Sequence, residues 1–184
     1  MGLALRYNIF HHADPKAVYG LLHAFWEKRG HRIVEGPREF NGYVLHHERN
    51  GWTLLNWSGG WEWKLRREAQ LRISRLLNCT GLLVFVYDGR YWGYELFHQG
   101  VEVDHFVQKP EEHQWFPGRD CAGRAEAFQL LDIPPADIAP HLRNTSDANG
   151  FLEFLATLGV GLELREGYYT PLAKPWREFK IVPI

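Results

Sequence analysis

Four residues in the second half of this chain carry acid, base or nucleophile chemistry in surroundings that could use it: Glu95, Asp104, His113 and Cys121. Glu95 lies in the alternating run Tyr91 to His98, on the side it shares with Tyr91, Gly93 and Phe97. In the next run, Val101 to Val107, simple alternation puts Glu102 and Asp104 on one side with Phe106. A carboxylate among aromatic rings loses hydration, its pKa rises, and it can serve as a general acid. Cys121 sits in Gly118-Arg119-Asp120-Cys121-Ala122-Gly123, a Gly-rich loop with a cation close by. Such a setting favours the thiolate, and His113 and His141 are the candidate bases.

The motifs that would fix a reaction are missing. There is no GxSxG, and the serines are only Ser58, Ser74 and Ser146. Neither phosphate-binding loop, GxxxxGK[ST] or GxGxxG, occurs. The chain has ten histidines, including the pairs His11-His12 and His46-His47. Neighbours on a strand point to opposite faces, so neither pair chelates one ion as a unit. No HxxxH, HExxH or Cys/His spacing is present, and the expectation is no metal and no cofactor.

Two features point to recognition. Trp52, Trp57, Trp61 and Trp63 crowd one short segment, and Trp92 and Trp115 follow. An indole covers a large area, needs a partner for its N–H, and is enriched at binding hot spots. Beside them runs the most basic stretch of the chain, Lys64, Arg66, Arg67, Arg72 and Arg75, offset only by Glu62 and Glu68. A basic helix next to indoles could grip a phosphate backbone. The strand signature of RNA-recognition domains is not matched by Gly81-Leu82-Leu83-Val84-Phe85. The expected binding residues are Trp52, Trp57, Trp61, Trp63, Trp92, Arg66 and Arg67.

The elements that must hold these residues are legible. Leu3 to Phe10 alternates like a strand. Asp14-Pro15 then opens a helix over 14–29: Asp as N-cap, Pro at the first position, and Val18, Leu21, Leu22, Phe25 and Trp26 on one stripe. The runs 43–47 and 52–57 flank Asn50-Gly51, a hairpin signal. A helical pattern covers 61–77, with Leu65, Ala69, Ile73, Leu76 and Leu77 on one side. Gly81 to Tyr87 is continuously apolar, as in a strand covered on both faces. Asp88-Gly89 and Gln99-Gly100 join it to 91–98 and 101–107 as a meander. Beyond a loop over 109–123, short helices are expected at 124–131, 134–142 and 151–158, then an extended tail over 168–184.

The fold class is therefore α+β. It is an antiparallel sheet of about five to six strands, with a ferredoxin-like split β-α-β start extended by the meander, and short C-terminal helices after it. Residues 1–184 read as a single domain, with 1–108 as the sheet core and 109–184 packed on it.

Composition narrows the class further. The chain has 184 residues, 45% apolar and 23% charged, with a net charge of −1, so no global field steers it to nucleic acid or anionic lipid. No apolar run approaches the roughly 20 residues a membrane helix needs, and Met1 to Arg6 is a poor signal-peptide start. Two cysteines without CxxC spacing suit a reducing compartment. The expectation is a non-enzymatic binding protein of the bacterial cytosol, of a toxin-immunity or regulatory kind. It would be a monomer or homodimer that takes a protein or peptide partner, and not nucleic acid or a membrane. The alternatives are a hydrolase-like enzyme with a pocket near 110–123, and a nucleic-acid-associated protein using the helix 62–77.

Overall fold

The computed structural model describes residues 5–184 except 38–41, 48–49, 58–62, 88, 113–119, 144–147, 166–167 and 173–174. Along the chain come β1 (Leu5–His11), α1 (Pro15–Glu27), β2 (His31–Glu35), β3 (Gly42–His47), β4 (Trp52–Trp57), α2 (Trp63–Leu76), β5 (Thr80–Tyr87), β6 (Tyr91–His98) and β7 (Val101–Val107). Then follow a short 3-10 turn, a 3-10 helix over Ala125–Leu131, α3 (Pro135–Arg143) and α4 (Ala148–Thr157). The chain ends with β8 (Leu162–Arg165), β9 (Tyr168–Pro171) and β10 (Pro175–Pro183).

The main sheet has eight strands in the order β2-β10-β3-β4-β1-β5-β6-β7, and every neighbouring pair is antiparallel. The α+β, antiparallel reading holds, and the count of five to six strands does not. The two extra strands are 31–35 and 175–183. The first is only five residues and lies at the sheet edge, with Ile33 alone buried, so its alternating signal is weak. The second is the expected extended tail, which pairs with β2 on one side and β3 on the other. Prolines at both its ends made the segment look irregular. A separate hairpin, β8–β9, also went unread.

Each face of the sheet carries its own layer. On one face α1 and α2 press Val18, Leu22, Phe25, Trp26, Ala69 and Ile73 against Phe10, Tyr43, Leu45, Leu55, Trp57 and Phe179. On the other, Phe128, Ile138, Phe151, Phe154, Leu155 and Leu158 cover Tyr7, Ile9, Trp52, Leu54, Val84, Trp92 and Tyr94. The period-two alternation of β1 and β4 divides their residues between these two cores, while β5 and β6 send Phe85 and Tyr91 to a third, smaller cluster with Val107 and Cys121.

Local chemistry explains the elements. The Asp14 carboxylate accepts the Lys16 N–H at 3.3 Å, and Pro15 follows as the first helical residue. Gln99 and Gly100 both have positive φ, 52° and 82°, which is the two-residue hairpin turn whose twist matches the strands. Gly81 is a close-approach position. A Cβ there would meet Gln70 Nε2 at 2.3 Å and the Ile9 carbonyl at 2.6 Å, so its absence lets α2 settle onto β1 and β5.

Phe25 and Phe85 are each almost wholly buried, one under α1 and the other against Trp63. Phe25→Ala and Phe85→Ala should each remove roughly 3–5 kcal/mol of stability. A urea titration checks this, and an unmoved midpoint for either variant would mean its ring is not a core anchor.

Candidate functional site

The place where sequence candidates converge is the α2 side of β6 and β7. A β-bulge between Leu96 and Phe97 of the β6–β7 ladder decides what meets there. Counting back from the turn, an unbroken ladder would set Asp104 opposite Glu95, two like charges at the closest cross-strand spacing. With Val103 as the extra residue, His105 stands opposite Glu95 and Asp104 moves opposite Leu96. Glu102 and Asp104 therefore lie on opposite faces, which corrects the shared face expected from simple alternation.

Glu95 is sealed from solvent, with 1% of its side chain exposed. The Arg67 guanidinium reaches down from α2, and Nε donates to Glu95 Oε2 at 2.6 Å while Nη2 donates to Glu102 Oε2. Glu102 in turn holds His105 Nδ1 at 3.0 Å through Oε1. The Arg67 cation also lies over the Phe97 ring, 5.6 Å from its centroid. Burial alone would lower the Arg67 pKa, but the charges and hydrogen bonds of Glu95 and Glu102 outweigh it and hold the group above its ordinary value. Chemically, this is a carboxylate–guanidinium–carboxylate–imidazole chain whose groups are engaged with one another.

Asp104, on the other face, is also engaged. It accepts from Tyr94 Oη at 2.8 Å and from the Arg124 backbone N–H at 3.0 Å. Glu95 and Asp104 thus sit in different layers and share no reacting point. Cys121 is buried with Phe85, Tyr91 and Val107, and the backbone beside it caps the β7 edge through Val107 N–H to Cys121 O at 3.0 Å. His113 and Trp61 lie outside the described residues. Among the described residues no group of three or more His, Cys, Asp and Glu is arranged to hold a metal ion.

The indoles are distributed differently from the expectation of an exposed group. Trp52, Trp57 and Trp92 are 1%, 5% and 0% exposed. Trp52 Nε1 donates to Leu158 O at 2.8 Å, and Trp57 Nε1 donates to Asn8 Oδ1 at 2.6 Å. Trp92 has no hydrogen-bond partner for its N–H among the described residues and packs against Phe106, Phe151 and Phe154. The two covering layers account for this, because opposite-facing side chains on β4 both end up inside. Trp63, at the start of α2, is half-buried, edge-on to Phe85 at 5.1 Å between centroids.

Arg66 also leaves the surface. Its backbone carbonyl accepts from Asn8 Nδ2 at 3.0 Å, and its guanidinium lies 5.9 Å from the Trp57 ring. Burial, helped by the nearby Arg6 charge, brings its pKa down to about 9. Lys64 is exposed, Arg66 buried and Arg67 in ion pairs, so the three do not form one exposed basic face.

Residues that sequence reasoning passed over complete this end of the sheet. Tyr87 and Tyr91 face each other across the β5–β6 hairpin, with rings stacked at 5.2 Å. Arg6 of β1, opposite Phe85, lies near both tyrosines and Arg66, and burial lowers its pKa from the ordinary value. The hairpin signal at Asp88-Gly89 could have paired the two tyrosines, but the Arg6 neighbourhood depends on strand order.

Compared with protein-family models, curated proteins and solved structures, the chain matches none of them. No described helix is long and apolar enough to cross a membrane.

The Arg67–Glu95 pair has a direct test. Arg67→Ala strands a buried carboxylate and should destabilise by roughly 3 kcal/mol. Adding Glu95→Leu to it should recover most of that loss, because an apolar side chain needs no partner. If the double variant is no more stable than Arg67→Ala in a denaturant titration, the pair does not carry this energy.

Proposed function

We propose that this protein works by binding, without catalysis of its own, and that it takes a protein or peptide partner at the end of the sheet formed by Trp63, Tyr87, Tyr91 and Arg6. The observation that carries this reading is the exposed Tyr87, 41% accessible and stacked on buried Tyr91. Tyr, Trp and Arg are the side chains that dominate interface energetics, since each offers a large, stiff contact area with a polar handle. The aromatic recognition expected from composition thus moves from the three buried indoles to this hairpin end.

The candidate acid and base groups favour binding over chemistry. Arg67 joins Glu95 to Glu102, Glu102 holds His105, and Asp104 is held by Tyr94 and Arg124. A general acid or base must keep an atom within reach of a substrate proton. A cytosolic setting of the bacterial kind stays part of this reading. Cys79 and Cys121 are buried in different clusters, and burial pushes the Cys79 thiol up to about 11. We read the chain as one domain. The strand run β3-β4-β1-β5, with α1 and α2 on one face, supports a ferredoxin-like first half, to which β2, β10, β6 and β7 are additions.

Capture of partners from a native lysate by immobilised protein tests the proposal. Wild-type protein should retain a defined partner, and Trp63→Ala with Tyr87→Ala should lower its recovery at least about tenfold. Arg177→Ala, at the far end of the sheet, serves as the matched control. Equal recovery by the aromatic variant and the control would reject this surface.

A further inference from the structure

The joint between the sheet and the C-terminal layer is built on imidazole rings. His11 ends β1 and pairs with Trp52 across the β1–β4 ladder. Its ring lies 4.6 Å from the Trp52 ring and only 3.8 Å from the His12 ring, centroid to centroid. His12 is fixed there by its backbone: φ is 53°, its N–H donates to Gly51 O at 2.7 Å, and its Nδ1 fills the space where a Cβ on Gly51 would stand. The same corner grips the end of α4. Trp52 Nε1 donates to Leu158 O, and Asn50 Nδ2 donates to Gly159 O at 2.9 Å.

We propose that the His11–His12 stack on Trp52 is an acid-sensitive latch, which holds the Leu158–Gly159 turn on β4 while the imidazoles are neutral and loosens it when both are charged. The titratable groups that face His11 are His12 and Asp132, which ends the 3-10 helix of the opposite layer. A first proton on the stack can be balanced by Asp132. A second places two like charges at ring-contact distance, one of them on the half-buried His11. Burial first, and then His12, lower the His11 pKa from its ordinary value, and Asp132 only partly opposes them. The sign follows from that direction: the unfolded or opened chain binds the proton more readily than the closed one. Closure is therefore favoured above the ordinary imidazole range, near pH 6.5, and is lost as pH falls through and below it.

Among the described residues a further imidazole, that of His141, touches α4. His141 of α3 lies edge-on to Phe154, and its Nε2 is 3.0 Å from Thr157 Oγ1. Its pKa is also lowered by burial, with Glu153 opposing. It grips a different side of the same helix, so the test must separate the two.

Hydrogen exchange of the whole protein, at about pH 7.5 and about pH 5 and corrected for intrinsic rates, reads the latch directly. Amides over 150–160 should lose protection about tenfold in acid, while those over 82–97 keep theirs. His11→Phe, which retains a ring on Trp52 but cannot be charged, should abolish the acid response, and His12→Gln, at an exposed position, should reduce it. Equal protection of 150–160 at both pH values in the wild type overturns the proposal. So does simultaneous loss over 82–97, which would mean global acid unfolding. A response that persists in both His11→Phe and His12→Gln but vanishes in His141→Gln assigns the effect to the other imidazole and equally overturns the latch.

Discussion

A sheet with both faces covered leaves its central strands no wet side. β1 lies between β4 and β5, and each of these strands sends alternate residues into the clusters on opposite faces of the sheet. Any polar side chain on them must find its partner inside, because a buried polar group without one costs more than the bond it would make. Three interior groups show it. Asn8 donates to Gln70 Oε1 at 2.8 Å and to Arg66 O, and accepts from Trp57, so one amide ties β1 to α2 and to β4. Thr53 Oγ1 donates to Ala13 O at 2.5 Å, and Asp104 gathers Tyr94 and Arg124.

The same constraint shapes the charges at the sheet's other edge. Glu95 faces α2, so it needs a cation, and Arg67 is the residue that α2 brings over it. The extra residue in β7 then sets an imidazole opposite Glu95 in place of a second carboxylate, while Glu102, on the turn side of the bulge, reaches the same guanidinium. A bulge here is an electrostatic arrangement as much as a backbone one. It leaves the cluster as a clamp between α2 and the last two strands.

The aromatic content follows from the same geometry. Two cores around one sheet demand many large side chains. Trp26, Trp52 and Trp92, with Tyr7, Tyr43, Tyr91, Tyr94 and Phe128, are among the largest fully buried side chains. Trp52 and Trp57 point to opposite faces of β4 and are both inside, because neither face is open. The exposed aromatic ring lies where the layers end, at Tyr87 of the β5–β6 hairpin, and the stacked histidines lie where they meet, beside Trp52.

The sequence by itself determined the local elements: α1 with its Asp14 cap, the hairpins at Asn50-Gly51 and Gln99-Gly100, the buried strand 81–87 and the meander. These depend on periodicity, capping and turn residues that act within a few positions of one another. Pairing between distant segments was decided only by the tertiary structure. That is why β10 could insert between β2 and β3, and why a weak edge strand at 31–35 was missed. The one-residue bulge in β7 has no local signal either, yet it moves Asp104 and His105 to opposite faces from those that alternation assigns. Burial of the indoles was likewise settled by the second covering layer, since a strand's own pattern tells which residues share a face but not what lies above it.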